Sequence, residues 1–190
     1  MTKMATPSSA RTPDAVRWLP TEHLGQFQVD ASLRHWLIGK GLLTQRLKSA
    51  CGERFRLRLL EQWTSLLSRE QQAALRVDDG AGLFREVELC CGNTVWVFAQ
   101  TIVPDSTLCM HPWLAELGDA SLGETLGELS GVARGPHEYA RLPAEEALAA
   151  RALRDLTPRP DAVWARRARI LLHGAPLLVQ ELFLPGTGRT

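Results

Sequence analysis

Residues 83–104 read LFREVELCCGNTVWVFAQTIVP, and this stretch predicts the centre of the fold. Two runs rich in β-branched and aromatic residues flank Gly92-Asn93, a two-residue turn of the kind that joins neighbouring antiparallel strands. The side chains of a strand alternate between its two faces. One face of the first strand carries Leu83, Arg85, Val87 and Leu89. It is the more apolar face, so we expect it to point to the core and to place Arg85 inside.

A second hairpin is predicted over residues 162–185, AVWARRARILLHGAPLLVQELFLP, with its turn at His173-Gly174. In its first strand, the more apolar face carries Trp164, Arg166, Ala168, Ile170 and Leu172, and the face that we interpret as solvent-exposed carries Arg167, Arg169 and His173. In its second strand, Glu181 shares a face with Leu177, Val179 and Phe183. A carboxylate in such a position is costly unless it is paired. Arg166 and Glu181 are therefore two further charges that we expect to point inward.

The remaining segments predict mostly helices. Short helices are expected at 31–39, 44–51, 68–76, 110–118, 121–130 and 143–154, and further strands at 53–63 and 136–142. Strands and helices do not alternate in the regular manner of a parallel sheet. We therefore predict an α+β fold, a single antiparallel β-sheet with helices packed on it.

The composition suits one domain, because the 190 residues are 45% hydrophobic and carry a formal net charge of +1. So small a charge provides no general attraction for nucleic acid or for an anionic membrane, and no apolar run approaches the roughly 20 residues that span a bilayer. Residues 1–15 are polar and lack the apolar middle of a signal peptide. We therefore expect a disordered tail at 1–15, a single domain at 16–190, and a cytoplasmic monomer that binds no nucleic acid.

Cysteines and histidines give no sign of a metal site. Cys51, Cys90, Cys91 and Cys109 show no CxxC spacing, and no histidine stands at ligand spacing from them or from another histidine. We expect reduced, partly buried thiols rather than disulfides or metal ligands.

Two interpretations of the inward charges stay open at this point. Arg85 and Glu181 can form a structural ion pair inside the sheet, because buried charges usually come paired. Alternatively, they line a closed pocket for a small polar anion, since a planar guanidinium matches a carboxylate through two parallel hydrogen bonds. The alternation of side chains does not decide between the two.

Three ordered blocks of the sequence resemble the bacterial chorismate pyruvate-lyases. They are FREVELCCGNTVWVFAQTIVPDSTL (84–108), LGDASLGETL (117–126) and VWARRARILLHGAPLLVQELFLP (163–185), within a resemblance that runs from Leu33 to Pro185. The resemblance implies an α+β fold with an antiparallel sheet, a buried ligand site under helical flaps, and no cofactor. It also implies that chorismate is split into 4-hydroxybenzoate and pyruvate as the first step of ubiquinone synthesis.

The same resemblance assigns roles to four residues. Arg85 matches the arginine that binds the carboxylate of the product, and Glu181 matches the glutamate near the product's other end. Leu122 matches a leucine whose backbone contacts the ligand, and Leu43 stands where a well-known relative has methionine. We therefore expect Arg85 and Glu181 to be catalytic and Leu43 and Leu122 to bind the substrate. The helix at 143–154 lies in a stretch that is longer than in that relative, so it inherits no role.

The alternation of side chains along the strand, without support from the resemblance, adds Arg166 as a candidate to bind the enolpyruvyl carboxylate of chorismate, with Arg167 as the alternative. A rival function uses a similar fold: the effector-binding domain of some bacterial transcription regulators, in which the pocket binds a ligand and catalyses nothing. Those regulators carry a DNA-binding module before the domain, and no basic recognition helix is evident in this sequence.

Overall fold

The computed structural model describes residues 16–78 and 80–188. The helices are α1 (Ala31–Ile38), α2 (Leu43–Cys51), α3 (Arg69–Leu75), α4 (Asp105–Met110), α5 (Leu122–Glu128) and α6 (Ala147–Ala152), with 3₁₀ turns at Thr21–Gln26, Gly52–Arg54 and Pro112–Glu116. The strands are β1 (Leu19–Pro20), β2 (Phe55–Leu66), β3 (Ala81–Cys91), β4 (Thr94–Pro104), β5 (Val132–Arg134), β6 (Glu138–Pro143), β7 (Ala162–Leu172) and β8 (Ala175–Phe183). The tail predicted at 1–15 lies outside the described residues.

All the strands of the described ranges join one antiparallel sheet. Its order is β1-β6-β7-β8-β4-β3-β2, and β5 also pairs with β7. Both predicted hairpins are present, with β3 and β4 joined through Gly92-Asn93 and β7 and β8 joined through His173-Gly174. Gly92 and Gly174 have φ angles of 58° and 87°, the left-handed conformation that such turns require and that glycine adopts without strain. The prediction of an α+β fold around a single antiparallel sheet is confirmed.

Both faces of the sheet are covered, which corrects the expectation that Arg167 faces solvent. Arg167 is only 8% exposed, and its guanidinium donates to the carboxylates of Glu70 on α3 and Glu138 on β6. On the same side, fully buried Glu86 accepts a 2.6 Å hydrogen bond from Arg151 of α6. The alternation of side chains was predicted correctly, but the helices that cover this face come from distant segments of the chain. Of the other two residues expected there, Arg169 is half-buried and His173 is exposed.

The helix predicted at 143–154 is shorter than expected. Pro143 is the last residue of β6, opposite Ala162, rather than part of the first helical turn. A proline at a strand end is tolerated because its missing N–H removes no essential sheet hydrogen bond. The helix begins after Glu146, whose carboxylate accepts hydrogen bonds from the backbone N–H groups of Leu148 and Ala149. None of the helices in the described ranges is long and apolar enough to cross a bilayer.

Two of the four cysteines form a disulfide, so the prediction of four reduced thiols was wrong for Cys51 and Cys91. Cys51 ends α2, and the chain then turns directly into β2, whose first residue Phe55 pairs with Cys91 on β3. This turn brings the Cα atoms of the two cysteines to 5.6 Å, within the range that a disulfide spans. Spacing along the chain does not reveal the pair. Cys90 and Cys109 are free thiols, as predicted, but Cys109 is exposed rather than partly buried.

Candidate active site

A cavity of about 100 Å³ lies between the centre of the sheet and the N-terminal ends of α2 and α5. Its floor is made of Ala99 and Thr101 on β4, Val179 on β8 and Ala168 on β7. These small side chains create the space, because interiors are otherwise close-packed. The residues singled out from the sequence, Leu43, Arg85, Leu122, Arg166 and Glu181, all line this one cavity.

Two helix ends form the roof. Leu43 opens α2 and Leu122 opens α5, and they are 5% and 6% exposed. The hydroxyl oxygens of Thr44 and Ser121 lie 3.0 Å apart across the two helices. One turn further on, Lys48 donates to Glu124 over 2.7 Å. The roof is therefore a pair of short helices held together by polar side chains, which fits the expected helical flaps.

Arg85 projects from β3 into the cavity and is 3% exposed. Its Nη2 donates to the backbone oxygens of Gly118 and Ala120 at 2.8 and 2.9 Å, while its buried Nε–H has no partner. Among the residues that the structure describes, no carboxylate lies within ion-pair distance of this guanidinium. Burial lowers the pKa of Arg85, and the exposed carboxylate of Asp119 offsets part of this effect from further away. A buried cation without a counter-charge is costly, so this position favours an anionic ligand.

Glu181 has a different partner from the one that its sequence context first suggests. It lies opposite Arg166 on the neighbouring strand β7, and Nε of Arg166 donates to its Oε2 at 2.5 Å. Nη1 of the same arginine donates to the backbone oxygen of Leu37 at 2.9 Å. The interpretation of Arg85 and Glu181 as a structural ion pair is therefore wrong. Within the described chain, Oε1 of Glu181 accepts no hydrogen bond, so that oxygen is available to a ligand.

Arg85 and Glu181 stand at separate positions along the cavity. β4 lies between their strands, so their backbones are two inter-strand spacings apart, about 10 Å. The floor residues Ala99, Thr101 and Val179 lie between them. The site thus offers a cation, an apolar slot and a carboxylate in that order, an arrangement that suits a ring with an acid at one end and a hydroxyl at the other.

Two titratable residues that line the cavity, Arg134 and His137, were not predicted from the sequence. Arg134 belongs to β5, a strand of three residues that is too short to show an alternating pattern. His137 follows three residues later, at the start of a segment that was predicted as a strand but given no role. Burial lowers the pKa of His137, and the positive charges of Arg166 and then Arg134 lower it further against the opposing effect of Glu181. The cavity wall therefore holds three guanidinium groups, one carboxylate and a histidine that favours its neutral form.

The positive charges outnumber the negative one at the cavity, which fits an anionic ligand. The described residues contain no cluster of three or more His, Cys, Asp or Glu side chains that could hold a metal ion.

Comparisons with known proteins identify the family of the chain. The family model for chorismate lyase matches residues 12–189. The chain is 35% identical over 166 residues to a probable chorismate pyruvate-lyase of Nitrosospira multiformis, covering 86% of this chain and 92% of that protein. It is 31% identical to the chorismate pyruvate-lyase of Erwinia tasmaniensis over 91% of this chain and 88% of that protein.

A likeness in fold alone extends to a bacterial regulator. The effector domain of PhnF from Mycobacterium smegmatis superimposes with a TM-score of 0.54 at 20% identity, over 78% of this chain and 91% of that one. The match of the family model over most of the chain, together with relatives above 30% identity along nearly their whole length, is decisive. The chain belongs to the chorismate lyase family of enzymes.

Proposed function

We propose that the protein cleaves chorismate into 4-hydroxybenzoate and pyruvate. The observation that carries this proposal is the buried guanidinium of Arg85, which has no carboxylate within ion-pair distance in the described chain and lines the same cavity as Glu181. A ring carboxylate supplies the missing negative charge, and the hydroxyl at the opposite position of the ring reaches Glu181. The names of the relatives support the same substrate.

The reaction requires positioning and charge stabilisation. The ether bond between ring carbon C3 and the enolpyruvyl oxygen breaks, the proton on C4 is lost, and the ring becomes aromatic. The departing enolpyruvate takes up a proton and becomes pyruvate, so atoms and electrons balance without an oxidant or a reductant. Arg85 holds the ring carboxylate and fixes the ring in the slot. Oε1 of Glu181 contacts the C4 oxygen as a hydrogen-bond partner or proton carrier.

The roof of the cavity contributes by excluding water. Leu43 and Leu122 are almost fully buried and close the slot from above. Interactions between the substrate and the charged groups are stronger in such an enclosed site than in water. The contacts between α2 and α5 hold this closed form, and their opening provides a route for substrate and product.

We further propose that the reaction is the first step of ubiquinone synthesis and that a single copy of the chain performs it. The second part is supported by the completeness of the site, since one copy of the chain supplies the floor, the roof and both polar ends of the cavity. The alternative function, an effector-binding domain without catalysis, is favoured by a likeness in fold alone, such as that to the PhnF effector domain.

One experiment separates these functions. The purified chain is incubated with chorismate, and 4-hydroxybenzoate and pyruvate are quantified against a protein-free control. The proposal predicts equal amounts of the two products, formed at a rate proportional to the protein concentration. Binding of chorismate without product above the control would support the effector-binding alternative and contradict the lyase.

A further inference from the structure

Chorismate carries two carboxylates, whereas Arg85 binds only one. If the protein cleaves chorismate, as proposed above, a second group must bind the other carboxylate. This carboxylate is on the enolpyruvyl group, which leaves as pyruvate. Because this group is attached to C3, next to the carbon that carries the C4 oxygen, its carboxylate lies toward the Glu181 end of the cavity when the ring carboxylate is held at Arg85.

Arg166 was the sequence-based candidate for this second carboxylate, but two of its three guanidinium nitrogens, Nε and Nη1, already donate to protein oxygens. Its side chain is 3% exposed, its Nε is bound to Glu181, and its Nη1 is bound to the backbone of α1 through Leu37. Its guanidinium also packs on the ring of Phe183 at 5.4 Å from the centroid. A move of Nε toward a ligand would break the buried pair with Glu181, and a buried charge that loses its partner is strongly destabilising. Arg166 therefore holds Glu181 in place, and only its Nη2 has no partner among the described residues.

Arg134 is the cavity's remaining guanidinium, and its donors are nearly free. Arg134 lies directly opposite Ile170 on β7, so its side chain shares the face of the sheet that Ile170 presents to the cavity. Its one hydrogen bond within the described residues is a long contact of 3.5 Å from Nη2 to the backbone oxygen of Gly123. It forms no ion pair with any described carboxylate, and as a whole residue it is exposed at the edge of the cavity.

The sheet order places Arg134 on the correct side of Glu181. From β3 the strands run β4, β8, β7 and then β5, so Glu181 on β8 lies between Arg85 and Arg134. Four inter-strand spacings, about 19 Å, separate the backbones of the two arginines, and both residues line the cavity. Arg134 is near enough to Glu181 and Arg166 for their charges to act on it. A dianion can thus be held at both ends, with the bond that breaks between them.

We propose that Arg134 binds the enolpyruvyl carboxylate of chorismate and so completes a two-anion site whose other end is Arg85. The leaving fragment then lies at the exposed edge of the cavity, whereas the ring lies in the buried part beside Arg85. Arg134 acts on the substrate and on no part of 4-hydroxybenzoate, which has lost this carboxylate.

Two ligands that differ by one carboxylate test the proposal without catalysis. The dissociation constants of 4-hydroxybenzoate and of 3-(carboxymethoxy)-4-hydroxybenzoate, a stable dicarboxylate, are measured by calorimetry for the wild type, Arg134→Gln, Arg134→Lys and Arg154→Gln. Arg154 is an exposed arginine that pairs with Asp155 and does not line the cavity, so it serves as the matched control. A charge-assisted contact is worth a factor of about 10–100 in affinity. Arg134→Gln should raise the dissociation constant of the dicarboxylate by this factor and leave that of 4-hydroxybenzoate within twofold of the wild type. Arg134→Lys should recover part of the lost affinity for the dicarboxylate.

Turnover provides the second readout. The KM for chorismate should rise about 10–100-fold in Arg134→Gln with a smaller change in kcat, while Arg154→Gln behaves as wild type. Equal loss of affinity for both ligands, no loss for the dicarboxylate, or failure of the dicarboxylate to bind the wild type would each overturn the role of Arg134. Absence of turnover by the wild type would instead contradict the proposed function, and the binding measurements would still decide whether the cavity holds two anions.

Discussion

Arg166 and Glu181 face each other across β7 and β8, and a 2.5 Å hydrogen bond joins Nε of Arg166 to Oε2 of Glu181. Because Glu181 pairs with Arg166, Arg85 stays a buried guanidinium without an ion-pair partner in the described residues. The pair also fixes Oε2 of Glu181, while Oε1 accepts no hydrogen bond from the described residues. A single ion pair therefore produces both polar ends of the proposed site.

Arg85→Gln should weaken the binding of 4-hydroxybenzoate by about 2–5 kcal/mol, because a charge-assisted contact in a desolvated site is lost. The melting temperature should stay the same or rise, since the substitution removes a buried and unpaired charge. Calorimetric titration and a thermal melt on the same preparation check both parts. Wild-type affinity in the variant would show that the carboxylate binds elsewhere.

Glu181→Gln should reduce chorismate turnover sharply, because an amide cannot carry a proton. The amide oxygen can still accept the hydrogen bond from Arg166, so the fold should lose less stability than in Glu181→Leu, which leaves the buried guanidinium of Arg166 without this partner. Thermal melts and turnover per folded molecule are compared for the two variants. Near-normal turnover in Glu181→Gln would mean that Glu181 serves only to hold Arg166.

Reduction of the Cys51–Cys91 disulfide should lower the free energy of unfolding by about 4 kcal/mol. The bond closes a loop with a sequence separation of 40 residues, and the estimate follows from the loop-closure entropy of the unfolded chain. Urea unfolding with and without reductant measures the change. The exposed thiol of Cys109 provides the control, because Cys109→Ser should unfold like the wild type. A reductant that leaves the urea midpoint unchanged would contradict the prediction.

His137 should titrate below its ordinary pKa of 6.5, since burial, Arg166 and Arg134 all oppose its protonation. The unfolded chain takes up this proton near pH 6.5 while the folded chain does not. The free energy of unfolding is therefore unaffected by this proton above pH 6.5, and it decreases as the pH falls from 6.5 toward the pKa of His137 in the folded chain. NMR titration should show the pKa rising in Arg134→Gln and falling in Glu181→Gln. Shifts in the same direction in both variants would contradict this placement of the charges.

The two hairpins could be predicted from the sequence because strand alternation is a local property. The alternation of side chains placed Arg85, Arg166 and Glu181 on the inward face of the sheet. The glycine-containing dipeptides between the strands predicted both turns correctly. The alternation did not show which acid each arginine meets, since that depends on the order of the strands. Glu181 pairs with Arg166 because β7 neighbours β8, whereas β4 separates Glu181 from Arg85.

The missed features all depend on contacts between distant segments. Arg167 is buried because α3 and β6 bring Glu70 and Glu138 to it. The sequence pattern of β7 alone does not predict that another element packs over this face of the sheet. Cys51 meets Cys91 only through the turn that follows α2. Arg134 was overlooked because β5 spans three residues and is a strand only by virtue of its pairing with β7.

A crystal structure of the chain with bound 4-hydroxybenzoate tests the central claim most directly. The account predicts the carboxylate of the product at hydrogen-bond distance from the Arg85 guanidinium, about 2.7–2.9 Å. It also predicts the ring over Ala99 beneath Leu43 and Leu122, and the hydroxyl group beside Oε1 of Glu181. A ring bound in the opposite orientation, with its carboxylate away from Arg85, or bound outside this cavity, would contradict the account.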